Sequence, residues 1–230
     1  MPRLDPRLRS VAGRIRSQVH ADVGSDHGYL LAALLAAGRI HRGIAIENKP
    51  QPLANSQATL ARYHCDVRWG DGLEPLQVGE ADSLSICGMG GRRMVEILSR
   101  FPDRVPDQVV LQPNQRTDLV RQWGLQSGYH LVDEDWVGEG RLFEVLELVR
   151  GAPGEVSEHD PAYQGLDRSV AVCLGPHHLR RWEAMFVERL CEAKAYYRGL
   201  RVLNATSRER LEAIEKALSF GSFLPDTVSD

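Results

Sequence analysis

The chain has 230 residues, 43% of them apolar, which is enough to bury one full α/β core and to carry a smaller attachment. A formal net charge of -3 argues against a general nucleic-acid binder, although Arg3, Arg7, Arg9, Arg14 and Arg16 crowd the start while Asp133, Glu134, Asp135, Glu139, Glu144 and Glu147 crowd the middle. Cys65, Cys87, Cys173 and Cys191 form no CxxC pair and no run reaches about 18 apolar residues, so disulfides, structural metal, a signal peptide and a membrane span are not expected, and a cytoplasmic protein is.

From "VHADVG" onward, short β-rich runs alternate with helical patterns. "GIAIEN" is followed by the helical "QPLANSQATLARY", then by "CDVRWGDG", "DSLSICG", the helical "RRMVEILSRF" and "QVVLQPN". This βαβα order predicts an open, mostly parallel sheet, and the wholly apolar "GIAI" suits a strand buried on both faces. After the helical "QRTDLVRQWGLQSG", the runs "YHLVDEDWV" and "LFEVLELV" are separated only by "GEGR", which predicts an antiparallel hairpin. A parallel sheet finished by such a hairpin resembles the seven-stranded, Rossmann-like sheet of class I S-adenosylmethionine-dependent methyltransferases.

The pattern lapses into Gly, Pro and acids at "RGAPGEVSEHDPAYQG", a boundary signal. Beyond it Leu179, Trp182, Phe186, Leu190, Ala193, Tyr197 and Leu200 recur at helical spacing and predict one long amphipathic helix. Thr206 and Glu209 have capping-box spacing for a second helix bearing Leu211, Ile214 and Leu218. The expected organisation is a catalytic domain over 1–152, a connecting segment over 153–175 and a coiled-coil-like helical hairpin over 176–230. The alternative is that both helices pack back on the sheet.

The stretch "HADVGSDHGYL" falls at the end of the first strand, where a doubly wound sheet opens its ligand crevice. Gly24 and Gly28 are spaced G-x-x-x-G, so the dinucleotide fingerprint is absent. With Asp22 the loop reads D-x-G-x-x-x-G, a pattern in which backbone wraps the amino-acid end of S-adenosylmethionine. Glu47 ends the second strand roughly twenty residues later, where an acceptor-only carboxylate suits a ribose diol. Asp71 and Gly72 close the third strand, placed to take an adenine amino group and to admit the ring. Ser25, His27, Asn48 and Gly88 complete the candidate cofactor set. A metal site would need Asp26 and His27 to converge with ligands such as His20 from the far side of a strand, and none is expected. A Ser25–His27–Asp hydrolase lacks the G-x-S-x-G elbow.

The fourth strand opens into "ICGMGGRRMVEIL", where Gly88, Gly90 and Gly91 form a shelf nearly free of side chains, and "LQPN" supplies Pro113 and Asn114 to the same rim. Taken in order, "RLRSVAGRI", "ADVGSDHGYL", "GDGLEPL", "ICGMGG", "LQPN" and "LFEVLEL" closely resemble the bacterial tRNA (adenine-N1) methyltransferases that modify adenine 22 of tRNA. The resemblance covers residues 4–150 and extends to the tail only in architecture. It implies S-adenosyl-L-methionine as cofactor, tRNA as partner without an obligate protein partner, and a C-terminal coiled coil that helps grip tRNA. By motif position, Asp26 takes the place of the family's active-site aspartate and Arg7 that of an arginine near the entrance.

Met89, Gly90 and Asn114 join Asp26 as candidate catalytic residues. Arg7, Arg9, Arg92, Arg93, Arg180 and Arg181, with Arg189, Lys194 and Arg198, are the candidate RNA contacts. The rival expectations are a methyltransferase for another RNA, a small molecule or a protein, and an RNA-binding protein with a relic pocket.

Overall fold

The computed structural model describes residues 3–138, 142–152 and 160–221. They group into two compact units, Met1–Glu158 and His159–Asp230. The first unit runs α1 (Pro6–Arg14), β1 (Val19–Val23), α2 (Tyr29–Ala36), β2 (Arg42–Glu47), α3 (Pro50–Leu60), β3 (Cys65–Trp69), β4 (Ser83–Cys87), α4 (Gly91–Arg100), β5 (Gln108–Gln112), α5 (Thr117–Gln126), β6 (Tyr129–Val137) and β7 (Phe143–Arg150).

The seven strands form one sheet in the order β3-β2-β1-β4-β5-β7-β6. β1 to β5 are parallel, and β7 is antiparallel to both β5 and β6. This is the Rossmann-like methyltransferase sheet expected from the final hairpin. The connection "GEGR" includes Glu139, Gly140 and Arg141, which lie outside the described residues.

Ala21, Val23, Ile44, Ile46, Leu84, Ile86, Val109 and Leu111 are all buried, because helices cover both faces of a parallel sheet. The helix α2, "YLLAALLA", is apolar all round and buries Leu30 through Leu34. α1 starts where Asp5 caps the Leu8 N–H at 2.7 Å and Pro6 occupies the first turn, where its missing donor costs nothing. Among the described residues an ion pair lies wholly inside this unit: Arg121 of α5 meets Glu134 of β6 at 2.8 Å with both side chains 0% exposed, and Arg121 also reaches Glu144 of β7.

Reversal of strand order fixes where a ligand can sit. β1 has β2 on one side and β4 on the other, so the loops after β1 and β4 diverge at the switch point. The parallel register gathers the carboxyl ends of β1, β2, β3, β4 and β5 on one edge.

The second unit contains α6 (Arg168–Leu174), α7 (Pro176–Arg181), α8 (Ala184–Gly199) and α9 (Ala205–Gly221). α6 falls inside the stretch read as a connector; Asp167 caps its Val170 N–H at 3.0 Å and pairs with Lys216 of α9. The single long helix expected from Leu179 to Leu200 is broken instead, because Trp182 is left-handed at φ 47 and separates α7 from α8. The apolar spacing survives the break, since Phe186 packs against both His178 and Trp182, and so conceals it. The distal part of the stripe is not core: Phe186 and Leu190 are buried while Leu200 is 38% exposed. α9 is capped not by Thr206 but by Asn204, whose Oδ1 accepts the Ser207 N–H at 2.8 Å. Among the described residues, no helix is long and apolar enough to cross a membrane.

Candidate active site

The loop after β1 is built by backbone conformations that few side chains allow. Gly24 and Gly28 have φ of +74 and +69, and Asp26 between them is itself left-handed at φ 56. A Cβ on Gly24 would lie 2.5 Å from Met89 Cε, so the β1 loop and the β4 loop touch at this glycine. A Cβ on Gly28 would meet Leu60 of α3 at 2.8 Å, so that glycine also serves helix packing.

Asp26 is clamped at both backbone polar groups. Its N–H donates to Glu47 Oε1, and its carbonyl accepts from Ser56 Oγ at 3.2 Å. Its side chain stays 70% exposed at the rim, with Oδ2 at 3.8 Å from His27 Nε2. His27 stacks on Tyr29 with ring centroids 5.1 Å apart. An unfavourable conformation held from two sides is the kind of strain that active sites retain.

Glu47 is buried, and burial pushes its carboxyl above the ordinary range, with Asp22 and Asp26 adding like charge. Asp22 lies deeper still; burial raises it too, while a 2.6 Å hydrogen bond from Ser85 holds it down. At the end of β3, Asp71 accepts from Asn48 at 3.0 Å and from Arg93 at 2.6 Å, and Arg93 keeps it below the usual carboxylate range. The space that a Gly72 side chain would need is filled by Ile97, 2.9 Å from an ideal Cβ.

The β4 and β5 loops are joined by one buried side chain that sequence reasoning did not assign. Gln112 Oε1 accepts from Arg7 Nη1 and from the Gly88 N–H, each at 3.1 Å, and its Nε2 donates to Asn114 Oδ1 at 3.3 Å. Asn114 Nδ2 in turn donates to the Gly88 carbonyl at 2.6 Å. Gln112 lies within "LQPN", but a glutamine at the end of a strand carries no signal of its own. The glycine shelf is shorter than expected: a Cβ on Gly91 would strike the Arg116 carbonyl at 2.1 Å, so Gly91 is there to let two loops pack. Gly90 has φ -75, and a Cβ on it would lie 3.4 Å from Gln115 Nε2.

The structure therefore brings Asp22, Gly24, Ser25, Asp26, His27, Gly28, Glu47, Asn48, Asp71, Gly72, Gly88, Met89, Gly90 and Asn114 to one edge of the sheet. Arg7 belongs there as well; its guanidinium lies 5.4 Å above the Phe143 ring. Arg9, Arg92 and Arg93 are exposed, and Arg93 is tied to Asp71. In the other unit, Arg180 donates to the carbonyls of Pro161, Ala162 and Gln164, and Arg181 is exposed.

The crevice fits a cofactor with a cationic amino-acid end and a hydroxylated sugar. Its floor carries the buried carboxyls of Asp22 and Glu47, and the buried Ser25 hydroxyl beside Asp22 adds a polar group that a ligand can meet.

Comparisons with known proteins agree with this geometry. A family model for a methyltransferase domain matches residues 4–146. The tRNA (adenine(22)-N(1))-methyltransferase of Bacillus subtilis (strain 168) is 33% identical over 195 residues, 81% of this chain and 79% of that protein. The crystal structure of the B. subtilis m1A22 tRNA methyltransferase superposes with a TM-score of 0.79 at 29% identity, over 94% of this chain and 96% of that one. A candidate tRNA (m1A22) methyltransferase from Streptococcus pneumoniae, solved in complex with S-adenosyl-L-methionine, gives 0.78 at 25% identity over 92% and 98%.

Proposed function

The chain belongs to the tRNA (adenine(22)-N1)-methyltransferase family, and on that premise we propose that it transfers the methyl group of S-adenosyl-L-methionine to N1 of adenine 22 in tRNA. When bound, the cofactor supplies an electrophilic methyl group on a sulfonium. Asp22, Gly24, Ser25 and Gly28 hold its amino-acid end, Glu47 its ribose and Asp71 its adenine.

The observation that carries the reading is Asp26, an exposed carboxylate on a left-handed residue clamped by Glu47 and Ser56 beside the cradle. Adenine N1 has a free lone pair at neutral pH, so no proton must leave before attack and a general base is not required. The methylated ring is cationic. Asp26 orients the adenine and balances the developing positive charge, while the Gln112 network holds Arg7, Gly88 and Asn114 in place around it.

A base inside folded tRNA must be extruded, at a cost of a few kcal/mol that contacts with the phosphate backbone offset. Exposed Arg9 and Arg92 on the sheet unit, with Arg181, Arg189 and Lys194 on the helical unit, are the proposed contacts. The sheet unit holds the chemistry and the helical unit grips tRNA, in a cytoplasmic enzyme.

The test is incubation with labelled S-adenosylmethionine and unmodified tRNA, followed by identification of the modified nucleoside. The expected product is 1-methyladenosine at position 22. Label in another nucleoside, or in protein or small molecules only, rejects the proposal.

A further inference from the structure

A chain of hydrogen bonds runs between β1 and β4 toward the crevice. Ser17 Oγ lies 2.7 Å from Ser83 Oγ, which lies 2.7 Å from His20 Nδ1; His20 Nε2 lies 2.8 Å from Ser85 Oγ, and Ser85 Oγ lies 2.6 Å from Asp22 Oδ1. His20, Ser83 and Ser85 are 0% exposed and Asp22 is 3% exposed. The register pairs His20 with Ser83 and Asp22 with Ser85, so residues two apart on each strand meet on one face.

Counting hydrogens sets the direction of the chain. Ser85 gives its single hydrogen to Asp22 Oδ1, so Ser85 accepts from His20 Nε2–H. Burial lowers His20 to about 3, so the ring is neutral and carries one hydrogen. Nδ1 therefore accepts from Ser83, and Ser83 accepts at 2.7 Å from Ser17, whose other acceptor, the Val19 carbonyl, lies at 3.5 Å. Every donor points toward Asp22.

We infer, on the cofactor reading of the crevice, that His20 is a positioning residue: through Ser85 it aims a donor at Asp22 and keeps that carboxylate ionised for the cationic end of the cofactor. The other titratable groups around Asp22 are Glu47 on β2, Cys65 on β3 and Cys87 on β4. Glu47 carries like charge and the thiols carry none, so none of them favours the ionised acid. The opposing interactions are hydroxyl hydrogen bonds, that of Ser85 at the end of the donor chain first and that of Ser25 second.

Two measurements test this. In 15N-labelled wild-type protein at neutral pH, the His20 hydrogen is expected on Nε2; finding it on Nδ1 overturns the inference and needs no variant. Calorimetric binding of S-adenosylmethionine is then followed from about pH 5.5 to 9 for the wild type, His20→Phe and His20→Gln. The Phe variant is expected to bind about tenfold more weakly than the wild type at neutral pH, with the ratio between the two shrinking as pH rises, a loss consistent with one charge-assisted hydrogen bond. The Gln variant, which returns a donor near the Nε2 position, is expected to restore most of the binding. A Phe profile that superposes on that of the wild type overturns the inference alone. Wild-type protein that binds no S-adenosylmethionine overturns the cofactor reading and the inference with it. Should the Phe variant fail to fold, Ser85→Ala takes its place with the same expected and overturning profiles.

Discussion

Arg93 Nη2 donates to Asp71 Oδ1 across 2.6 Å, so an arginine expected to face RNA is bound to a carboxylate expected to face the cofactor. Both side chains are more than a third exposed, which limits the pair to about 0–1 kcal/mol. Arg93→Ala is therefore expected to weaken S-adenosylmethionine binding by about two- to fivefold while tRNA affinity stays within about twofold. Calorimetry with each ligand separately distinguishes this from an RNA contact, for which the tRNA term alone would change.

Asp26→Asn is a clean test of the charge. Asparagine tolerates the left-handed conformation, so the loop and its clamps to Glu47 and Ser56 are retained. Single-turnover methylation should fall about a hundredfold or more with little change in cofactor affinity. Wild-type turnover would remove Asp26 from the mechanism.

Gly24 combines a left-handed backbone with a steric limit, and the two can be separated. Gly24→Ala should lose about 1–2 kcal/mol from the backbone and more from the collision with Met89, with weaker cofactor binding. Adding Met89→Ala should relieve only the collision. A double-mutant cycle read by denaturant unfolding checks this; strict additivity would show that the two loops do not meet at this point.

Arg121 is the buried cation between α5 and the β6–β7 hairpin. Arg121→Met is expected to destabilise the protein by about 3–5 kcal/mol, because it leaves Glu134 charged in the interior. Arg121→Met combined with Glu134→Leu should cost less than the single change. Chemical denaturation measures both, and equal losses would contradict the pairing.

Acid should destabilise the fold first through His20. Its pKa is about 3 when folded against an ordinary 6.5, so between those values the unfolded chain takes up a proton that the native state refuses. Stability therefore falls as pH drops through that window, by about 1.4 kcal/mol per pH unit at most. Glu80, lowered from 4.5 to about 2 by Arg68, contributes in the same direction only below its ordinary value. The difference between wild type and His20→Gln should therefore appear already between pH 6.5 and 4.5. Parallel stability curves over that interval would place His20 outside the buried chain.

The candidate site was legible to different depths. Asp22, Asp26, Glu47 and Asp71 could be named because carboxylates beside glycines at successive strand ends are local signals. His20, Ser56, Ser85 and Gln112 could not, because each bonds a residue 24 to 105 positions away in the chain and on another element. Gly72 and Gly91 looked like openings for a ligand, yet Ile97 and the Arg116 carbonyl fill the space beside them. A glycine announces that a side chain is excluded but does not say by what.

Sequence alone determined the parallel sheet and its closing hairpin, since apolar strands, helical spacing and a short link leave few ways to bury the core. It also determined the cofactor loop, whose glycines are required by backbone sterics within a few residues. Tertiary structure decided the break at Trp182, the Asn204 cap, the sharing of Asp71 with Arg93 and the chain that ends on Asp22. Those depend on which side chains the fold sets within hydrogen-bonding or packing distance, and periodicity along the chain carries no record of that.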